Sequence, residues 1–549
     1  MAFLFNRQDD VLNVRDVNLS SANHGPITAD EIARQMAEYE MAHAVEDYWA
    51  FGWQVWPFLR TVLATEIYLA RNFQFTIADY FAPTNDEKRG IGLLARRFTY
   101  HWRVLQNYIQ WTWDVKRSAT LSPSRPCDVL IFGGGERYQF VGRKWVHYPT
   151  EPLADLLERA GLRCHMWQWR EQPSPAARPS ANVVPSLRAE LWLRNALGRF
   201  RSPPSVPDWF HEFASWYHGL IGQRLTWECL AVHLAETVPM SNIIERWLRC
   251  ARPGLVVVDW WVNGPMMAAA LAAHRLGIPV MDLQHGIQEQ TDSAYHLWCK
   301  EPAGGWGARP DIFWVRGERA EHLLYETNRI QQEVLCGGSP WIRRWLSKTD
   351  PDLETTCAEV RKLIDGYSRS ILVTLLCPAS LCFQYLKAVI AKAPTNWIWL
   401  VRAHPREKVD LQCIEQELGN SGRAAVRSHN ATEWPLYALL RSVDLHVSNH
   451  STCSNEALAF GKPTVLTGEA GLAIFREFVN QGVMFYAERP ENFYEIAERA
   501  FAVDPARLKH AGRSLFVVDE GDTIRAVNRV VEVVHSVRQK QALGVNVRL

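Results

Sequence analysis

Short apolar runs recur along most of this chain, and segments with helical periodicity separate them. The run at 255–259 is followed by a helical segment at 267–276 and then by another run at 279–284. A repeat of about 30 residues is typical of a β–α–β unit, in which a crossover helix joins two parallel strands. The runs do not alternate with polar residues, so they predict strands that are covered on both faces.

The runs fall into two sets, which predict an α/β protein with two successive Rossmann-like parallel-sheet domains. The first set lies at 128–132, 255–259, 279–284 and 312–315, and the second at 370–376, 397–402, 444–447 and 463–467. We therefore divide the chain into an N-terminal arm and helical region (1–124), a first Rossmann-like domain (125–350), a second Rossmann-like domain (351–535) and a C-terminal tail (536–549).

The N-terminal region carries helix signals of its own. Thr28 precedes Glu31 by three residues, which is the spacing of a capping box at the start of a helix. Apolar and aromatic residues at helical spacing predict two further helices, over 46–70 and 88–117. The Pro- and Ser-rich stretch 122–126 indicates a linker to the first sheet.

Tryptophan is unevenly distributed along the chain. Of 24 Trp residues, 21 lie within residues 1–350, which separates an aromatic part from the last third of the chain. Indole rings stack on sugar faces and donate N–H hydrogen bonds, so this part of the chain fits a glycan-binding role. Because Trp is usually buried, we expect most of these side chains to lie in the core and only a few to contact a glycan.

Charge, cysteine content and hydropathy narrow the class of protein. The formal net charge is +1, so no global field attracts nucleic acid, and the 11 Cys include no CxxC pair of the kind that binds zinc. A reducing cytosol is the expected location, since neither a signal peptide nor an uninterrupted apolar stretch is visible. The basic, aromatic segment 88–117 is compatible with peripheral contact at the inner face of the cytoplasmic membrane, although a bundle helix with solvated Arg is the favoured interpretation.

Polar residues at the carboxyl ends of parallel strands are the natural candidates for ligand binding. In the second sheet, Ser448, Ser451 and Thr452 follow one strand and precede a helix. Hydroxyls and backbone N–H groups at such a position bind phosphate, and Glu456 can accept a hydrogen bond from a ribose hydroxyl. Plain helix capping by Ser451 and Thr452, with Glu456 as partner, is the alternative.

His404 follows another strand of this set and precedes Pro405, which restricts the direction of the histidine side chain. An imidazole there can donate to phosphate oxygens or protonate a leaving phosphate, and Arg402 adds positive charge. A lone histidine at a strand end is more often structural. The neighbouring Ser/Thr segment favours the functional interpretation.

The first sheet offers a second group of candidates. Asp259 ends a strand before Trp260, and its carboxylate can act as a general base, as a nucleophile on a sugar carbon, or only as a cap for the next turn. Close approach of a ligand to the backbone is expected where glycines follow a strand. The further cleft candidates are Gly134, Gly135, Glu136, Gln284, His285 and Gly286.

These motifs resemble those of bacterial glycosyltransferases with two facing Rossmann-like domains, the GT-B arrangement, which build capsules, lipopolysaccharide and teichoic acids. The chain is similar in particular to polysialyltransferases, to Kdo transferases of capsule and O-antigen assembly, and to glycerophosphotransferases of wall polymers. The resemblance covers residues 125–500 and rests on His404-Pro405, on Ser451-Thr452, with Thr in place of the usual second Ser, and on Gln284-His285-Gly286. It implies that His404, Ser451 and Thr452 contact the nucleotide phosphate of the donor.

The implied reaction is transfer of a sugar from a nucleotide-sugar, with a CMP-activated acidic sugar such as Kdo as the expected donor. The acceptor is then a growing cell-surface polysaccharide or a lipid-linked glycan. We expect no metal and no other cofactor, because hydroxyls, helix amides and His404 stabilise the leaving phosphate. Asp259 is the first choice of base, with His285 and Glu136 next, and retention or inversion stays open.

Two other functions fit parts of the pattern. A nucleotide-sugar epimerase of the same two-sheet form needs the nucleotide site but no Trp-rich acceptor region. A non-catalytic glycan-binding scaffold subunit needs neither Asp259 nor His404 for its function.

Overall fold

A computed structural model describes most of the chain between residues 27 and 543. The described residues are 27–65, 67, 122–134, 137–142, 144–169, 178, 180–184, 187, 205–222, 224–286, 288, 292–347, 349–375, 380–404, 410–517 and 519–543. The predicted helix over 88–117 and the candidates Gly135, Glu136 and Pro405 lie outside them. Within these ranges, no helix is both long and apolar enough to cross a membrane.

The N-terminal region begins with the predicted capped helix. Thr28 Oγ1 accepts a hydrogen bond from the Glu31 N–H at 3.2 Å, which confirms the start of the helix. The predicted helix over 46–70 is only partly right, because a tight hairpin with Phe51 and Gly52 at positive φ interrupts it. The elements are α1 (Ala29–Ala42), β1 (Trp49–Ala50), β2 (Trp53–Gln54) and α2 (Trp56–Phe58), which continues as a π-helical turn over Leu59–Leu63.

A buried ion pair attaches this region to the first sheet domain. Arg60 and Glu40 form a salt bridge in which both side chains are fully inaccessible to solvent. Glu40 also accepts the backbone N–H groups of Cys299 and Lys300, at 3.0 and 2.7 Å. Arg60 donates to the carbonyls of Ser293 and His296, so no polar group of the pair is left without a partner.

The first sheet has seven parallel strands in the order β11-β10-β9-β8-β3-β6-β7. A separate antiparallel hairpin, β4–β5, follows β3. The strands are β3 (Val129–Gly134), β4 (Tyr138–Val141), β5 (Lys144–His147), β6 (Cys164–Trp169), β7 (Ala181–Asn182), β8 (Leu255–Asp259), β9 (Val280–Leu283), β10 (Ile312–Val315) and β11 (Glu333–Cys336). The helices are α3 (Glu151–Arg159), α4 (Asp208–Ile221), α5 (Trp227–Ala251), α6 (Gly264–Arg275), α7 (Glu318–Thr327) and α8 (Pro340–Leu346).

The second sheet has six parallel strands in the order β14-β13-β12-β15-β16-β17. The strands are β12 (Arg369–Thr374), β13 (Trp397–Arg402), β14 (Ala425–Arg427), β15 (Leu445–Ser448), β16 (Thr464–Leu466) and β17 (Met484–Tyr486). The helices are α9 (Pro351–Ile364), α10 (Ser380–Ile390), α11 (Leu411–Gly419), α12 (His429–Glu433), α13 (Leu436–Ser442), α14 (Cys453–Ala459), α15 (Glu469–Asn480), α16 (Phe493–Phe501), α17 (Pro505–Leu515) and α18 (Glu520–Ala542). The predicted class, two parallel-sheet α/β domains behind a helical N-terminal region, is confirmed.

The last helix returns to the first sheet. The apolar face of α18, with Val527, Val530 and Val534, packs in one core cluster with Val129 and Val257 of the first sheet. The domain boundary therefore differs from the sequence-based one, which assigned residues up to 535 to the second domain. Burial of this valine stripe, rather than position in the sequence, decides where the helix docks.

The order of the strands reverses once in each sheet. In the first sheet the reversal lies between β3 and β8, and in the second between β12 and β15. A crevice forms at the carboxyl ends of the two strands at such a switch point, since their following loops turn in opposite directions. Gly134 and Asp259 end the strands at the first switch point, and Thr374 and Ser448 end those at the second.

Most tryptophans lie in the core, as expected. Of the 20 that the structure describes, 13 are buried, so only a minority are accessible to a ligand. The buried ones are Trp53, Trp56, Trp167, Trp169, Trp227, Trp261, Trp298, Trp306, Trp314, Trp341, Trp345, Trp397 and Trp399. Trp49 and Trp145 are exposed, with 52% and 40% of their surface accessible.

Candidate functional site

An ion pair occupies the switch point of the first sheet. Arg137 Nη1 donates to both carboxylate oxygens of Asp259, at 3.0 and 3.1 Å, and the Gly134 N–H donates to the same carboxylate. Only 1% of the Asp259 side chain is exposed, against 17% for Arg137. Burial raises the pKa of Asp259, while the nearby positive charges of Arg137 and Arg316 oppose this rise. The result is a carboxyl group with increased affinity for a proton.

Trp260, the residue after Asp259, has a left-handed backbone conformation with φ of +67°. Such a conformation costs about 1–3 kcal/mol for a non-glycine residue and is concentrated at functional sites. Asn263 Nδ2 donates to the Trp260 carbonyl at 2.7 Å and holds the turn. The Trp260 ring lies against His285, with 5.3 Å between centroids, so two predicted site residues are in contact.

A second polar pair lies in the second domain. The Tyr437 hydroxyl donates to Glu456 Oε1 at 2.8 Å, and Glu456 sits in the first turn of α14. Burial raises the pKa of Glu456, and the charge of Arg316 and the hydrogen bond from Tyr437 oppose the rise. The pKa of Tyr437 is also raised far above its ordinary value by burial and by the carboxylate beside it.

Arg316 acts electrostatically on both polar pairs. It follows β10 directly, and its positive charge opposes the rise that burial causes in the pKa of Asp259 and of Glu456. Tyr148 is influenced by the same two carboxylates and by Arg316, although burial is the main cause of its raised pKa. Because charges interact appreciably only over short distances, the two polar pairs lie within electrostatic range of Arg316. We call this set, Arg137, Asp259, Arg316, Tyr148, Tyr437 and Glu456, the charge cluster.

The Ser/Thr segment after β15 forms a tight turn. Ser448 Oγ accepts the Ser451 N–H at 3.1 Å, and Ser451 Oγ accepts the Cys453 N–H at 3.3 Å. Thr452 is exposed, and as the N-cap of α14 its side chain makes no capping hydrogen bond. Ser448 and Ser451 are thus turn-forming hydroxyls, whereas Thr452 is exposed to solvent. Their contact with a donor phosphate stays a prediction.

Arg402 and Gln284 hold neighbouring segments of the backbone. Arg402 Nη1 donates to the carbonyls of Ala431 and Thr432 in α12, at 2.6 and 3.2 Å. Gln284 Oε1 accepts the Arg316 N–H at 2.6 Å, and its Nε2 donates to the Gly286 carbonyl at 3.2 Å. Both side chains therefore support the backbone near the strand ends, and their contact with a ligand stays a prediction.

The other predicted residues lie near strand ends, and their contact with a ligand stays a prediction. His404 is half-buried, two residues beyond the end of β13. Gly286 has φ of +79°, which glycine adopts without strain, and a Cβ at Gly134 would come within 3.1 Å of Met266 Cε. Asp350 caps α9 by accepting the Asp352 N–H at 3.0 Å.

Arg316, Tyr148 and Tyr437 were not predicted from the sequence. The signal for Arg316 was present, since it follows a predicted strand at 312–315 directly, as Asp259 ends another. Arg137 lies three residues beyond Gly134, in the glycine-rich segment that is expected to line the cleft, although the sequence indicates a role only for Glu136 there. Tyr148 and Tyr437 carry no local signal, because each looks like an ordinary aromatic residue beside a helix start.

No protein-family model matches the chain, and no curated protein matches it. Similar solved structures include the UDP-GlcNAc 2-epimerase from Neisseria meningitidis bound to UDP-GlcNAc, which is 16% identical and has a TM-score of 0.46 over 74% of this chain and 99% of that one. A UDP-glucosyltransferase from Polygonum tinctorium is 13% identical, with a TM-score of 0.43 over 75% and 99% of the two chains. The glycosyltransferase SnogD from Streptomyces nogalater is 16% identical, with a TM-score of 0.32 over 76% and 99%. Similarity at this level assigns neither a substrate nor a reaction.

Proposed function

We propose that the protein is a glycosyltransferase that binds a nucleotide-sugar between its two sheets and transfers the sugar to a glycan. The observation that carries this proposal is the charge cluster, in which Asp259 with Arg137 and Glu456 with Tyr437 share the field of Arg316. A nucleotide-sugar has an anionic phosphate between a nucleoside and a sugar. Its binding site therefore needs cations at the centre and, at both ends, groups that accept hydrogen bonds from the ligand's hydroxyls. The cluster supplies this arrangement at two switch points.

In this proposal Asp259 is the base that takes the proton of the acceptor hydroxyl. General bases work best when their pKa lies near the working pH, and burial moves the pKa of Asp259 in that direction. Arg137 and the Gly134 N–H hold the carboxylate in one orientation. His285 lies close by against Trp260 and is the second choice of base.

The leaving phosphate gains negative charge as the glycosidic bond breaks, and Arg316 and Arg137 are the nearest cations in the cluster. We propose that His404, Ser451 and Thr452 add hydrogen bonds to this phosphate, and that Glu456 accepts from the ribose. With two guanidinium groups available, the reaction needs no metal ion. Addition of EDTA to the assay tests that point, and loss of transfer that Mg²⁺ restores would contradict it.

For the donor we propose a CMP-activated acidic sugar such as Kdo, and for the acceptor a growing capsule or lipopolysaccharide glycan, free or lipid-linked. The support is the resemblance of His404-Pro405 and Ser451-Thr452 to the motifs of transferases that use such donors. A lipid-linked acceptor would place the protein at the inner face of the cytoplasmic membrane.

A thermal-shift panel of CMP, CDP, UDP, GDP and ADP tests the nucleotide site. A ligand that binds only the folded state adds about 2.7 kcal/mol of stability at a hundred times its Kd, and CMP should give the largest rise in Tm. If no nucleotide raises the Tm, the proposal fails. Incubation of the donor without acceptor then separates the alternatives, because an epimerase converts the nucleotide-sugar into its isomer, whereas a transferase leaves the sugar unchanged or hydrolyses the donor slowly.

A further inference from the structure

The base of the β4–β5 hairpin is attached to the first domain. Arg137 immediately precedes β4 and Tyr148 immediately follows β5, and the Tyr148 N–H donates to the Arg137 carbonyl at 3.2 Å. The His147 N–H donates to Glu151 Oε1 at the start of α3, at 2.8 Å. The His147 ring lies against β3, since a Cβ at Gly133 would come within 3.0 Å of its Cε1. These contacts fix the base of the hairpin beside the first sheet.

One face of the same hairpin lies against the second domain. Val141 and Val146 are buried in the core of that domain, in one cluster with Leu372 of its sheet. The turn of the hairpin approaches α9, because a Cβ at Gly142 would overlap the side chain of Asp352. The hairpin therefore bridges the two domains, with its base in the first and its tip in the second.

The face that meets the second domain also carries Arg137. Residues two apart on a strand share a face, so Arg137 lies on the same side as Gln139 and the buried Val141. Arg137 Nη1 donates to both carboxylate oxygens of Asp259, which ends β8 in the first sheet. The cation that holds the proposed base is thus on a segment whose position depends on the second domain.

One hydrogen bond fixes this face to the core of the second domain. The indole N–H of Trp341, in α8, donates to Gln139 Oε1 at 3.2 Å, and only 2% of Trp341 is exposed. Trp341 packs in the same core cluster as Val141 and Val146. Apolar contacts have no preferred direction, whereas a hydrogen bond fixes one atom relative to another. At about 3.4 Å per strand residue, this bond acts about 7 Å along the chain from Arg137.

We propose that Trp341 is a positioning residue for the reaction. Its hydrogen bond to Gln139 holds the hairpin at the height at which Arg137 binds Asp259, so the second domain sets the orientation of the proposed base. The inference rests on the proposed function for the role of Asp259. A base in one domain then reaches its working state only when the other domain is in place.

The first test measures the hold of Trp341 on the hairpin. Trp341→Phe keeps an aromatic ring in the core but removes the N–H donor. Loss of this hydrogen bond should raise the population of the released hairpin about fivefold, which corresponds to about 1 kcal/mol. Hydrogen exchange of the backbone amides in 137–148, followed by mass spectrometry on the full-length protein, should accelerate by the same factor. Gln139→Leu should have the same effect, whereas Gln139→Glu keeps an acceptor oxygen and should exchange as wild type does.

The pH profile of kcat tests the link to the base. The charged and titratable groups that act on Asp259 are Arg137, Arg316, Asp282 and Tyr148. Of these, the hairpin carries one cation, Arg137. When Arg137 moves away, Asp259 binds a proton more tightly, so the acid limb of kcat should move to higher pH in Trp341→Phe and kcat should fall. KM for the donor should stay unchanged, and a mere loss of folded enzyme would leave the limb in place.

Trp399→Phe is the matched control. Trp399 is fully buried in a different core cluster of the second domain, and its indole N–H has no hydrogen-bond partner among the residues that the structure describes. This substitution makes the same change of ring without the loss of a hydrogen bond. It should leave both the exchange in 137–148 and the acid limb as in wild type.

Each result decides the inference. It is overturned if exchange in Trp341→Phe matches wild type, if the control accelerates exchange equally, or if the acid limb stays in place while exchange accelerates. If no nucleotide raises the Tm and no transfer is found, the proposed function fails and the positioning role fails with it. Accelerated exchange in Trp341→Phe alone would then assign the contact to the fold.

Discussion

Asp259→Asn is the substitution that separates catalysis from binding most clearly. The amide has nearly the shape of the carboxylate and can still accept the Gly134 N–H, but it can neither take a proton nor neutralise Arg137. We expect the variant to fold and to bind the donor nucleotide. The released Arg137 can then bind the phosphate at least as well as before, so the nucleotide Kd should not rise.

The expected loss lies in kcat. A positioned general base contributes about 10²–10⁴-fold to rate, which is about 2.7–5.5 kcal/mol of transition-state stabilisation. The assay follows release of the free nucleotide from the nucleotide-sugar in the presence of a saturating acceptor. KM for the donor should change by less than a few-fold, because Asp259 acts on the acceptor hydroxyl.

The pH dependence gives a second measurement of the same group. Burial raises the pKa of Asp259, and only the ionised carboxylate accepts a proton. The kcat of wild type should therefore fall as the pH drops through this raised pKa, from a higher pH than an exposed Asp would show. The residual activity of the Asn variant should lack that limb of the profile.

The control is Asp282→Asn on the neighbouring strand. Asp282 is as buried as Asp259, but it accepts the N–H of Trp261, in the loop after β8, at 2.9 Å and does not bind Arg137. Burial holds the pKa of Asp282 far above the usual value and so favours its neutral form, which an amide resembles in charge. An Asp259→Asn variant with kcat within tenfold of wild type, or a control with an equal loss, would refute Asp259 as the base.

Three further predictions concern the cleft and its support. Arg316→Ala should weaken CMP binding about 10–100-fold in calorimetry, since a charge-assisted hydrogen bond contributes about 1.5–3 kcal/mol. Arg319→Ala, three residues further on in α7, removes an arginine that pairs with Glu477 and should leave binding unchanged, and equal losses would contradict the role of Arg316. Glu40→Ala leaves the buried Arg60 without its counter-ion and should lower the free energy of unfolding, measured with denaturant, by about 3–5 kcal/mol. The double variant Glu40→Met/Arg60→Met should lower it much less, and equal losses would show that the unpaired charge is not the cause. Burial lowers the pKa of His446 to about 3 in the folded protein. As the pH falls below about 6.5, this histidine is therefore protonated in the unfolded chain but not in the folded one, and the free energy of unfolding should drop by about 2 kcal/mol between pH 6.5 and 5. His446→Asn should remove this part of the pH dependence, and an unchanged slope would assign it to other groups.

Elements with a strong local signal were predictable to within a residue or two. The strands at 255–259, 312–315 and 397–402 match the observed β8, β10 and β13, because each is a continuous apolar run. The position of Asp259 followed from the same runs, since parallel strands end at one edge of a sheet. β6 was not predicted, because the buried polar residues His165 and Gln168 interrupt its apolar run.

The charge cluster depended on tertiary structure. Its residues come from several separate segments, and Arg316 and Glu456 lie 140 positions apart in the chain. The valines of α18 repeat at helical spacing, but only the fold shows that they cover the first sheet. The contact between Phe140 and Trp145 was invisible in the sequence for a similar reason, since the pairing of β4 with β5 brings the two rings together.

The sequence by itself therefore determined the two parallel sheets, the bounds of most strands and the polar residues at the strand ends. These properties depend on the periodicity of apolar residues over a few positions, which a chain shows before it folds. Tertiary structure alone decided which strand ends share a space, which cations face which carboxylates and which of the many tryptophans reach solvent. Those outcomes depend on packing and on electrostatic interactions between distant segments, and such interactions act through distances in space that no spacing in the sequence specifies.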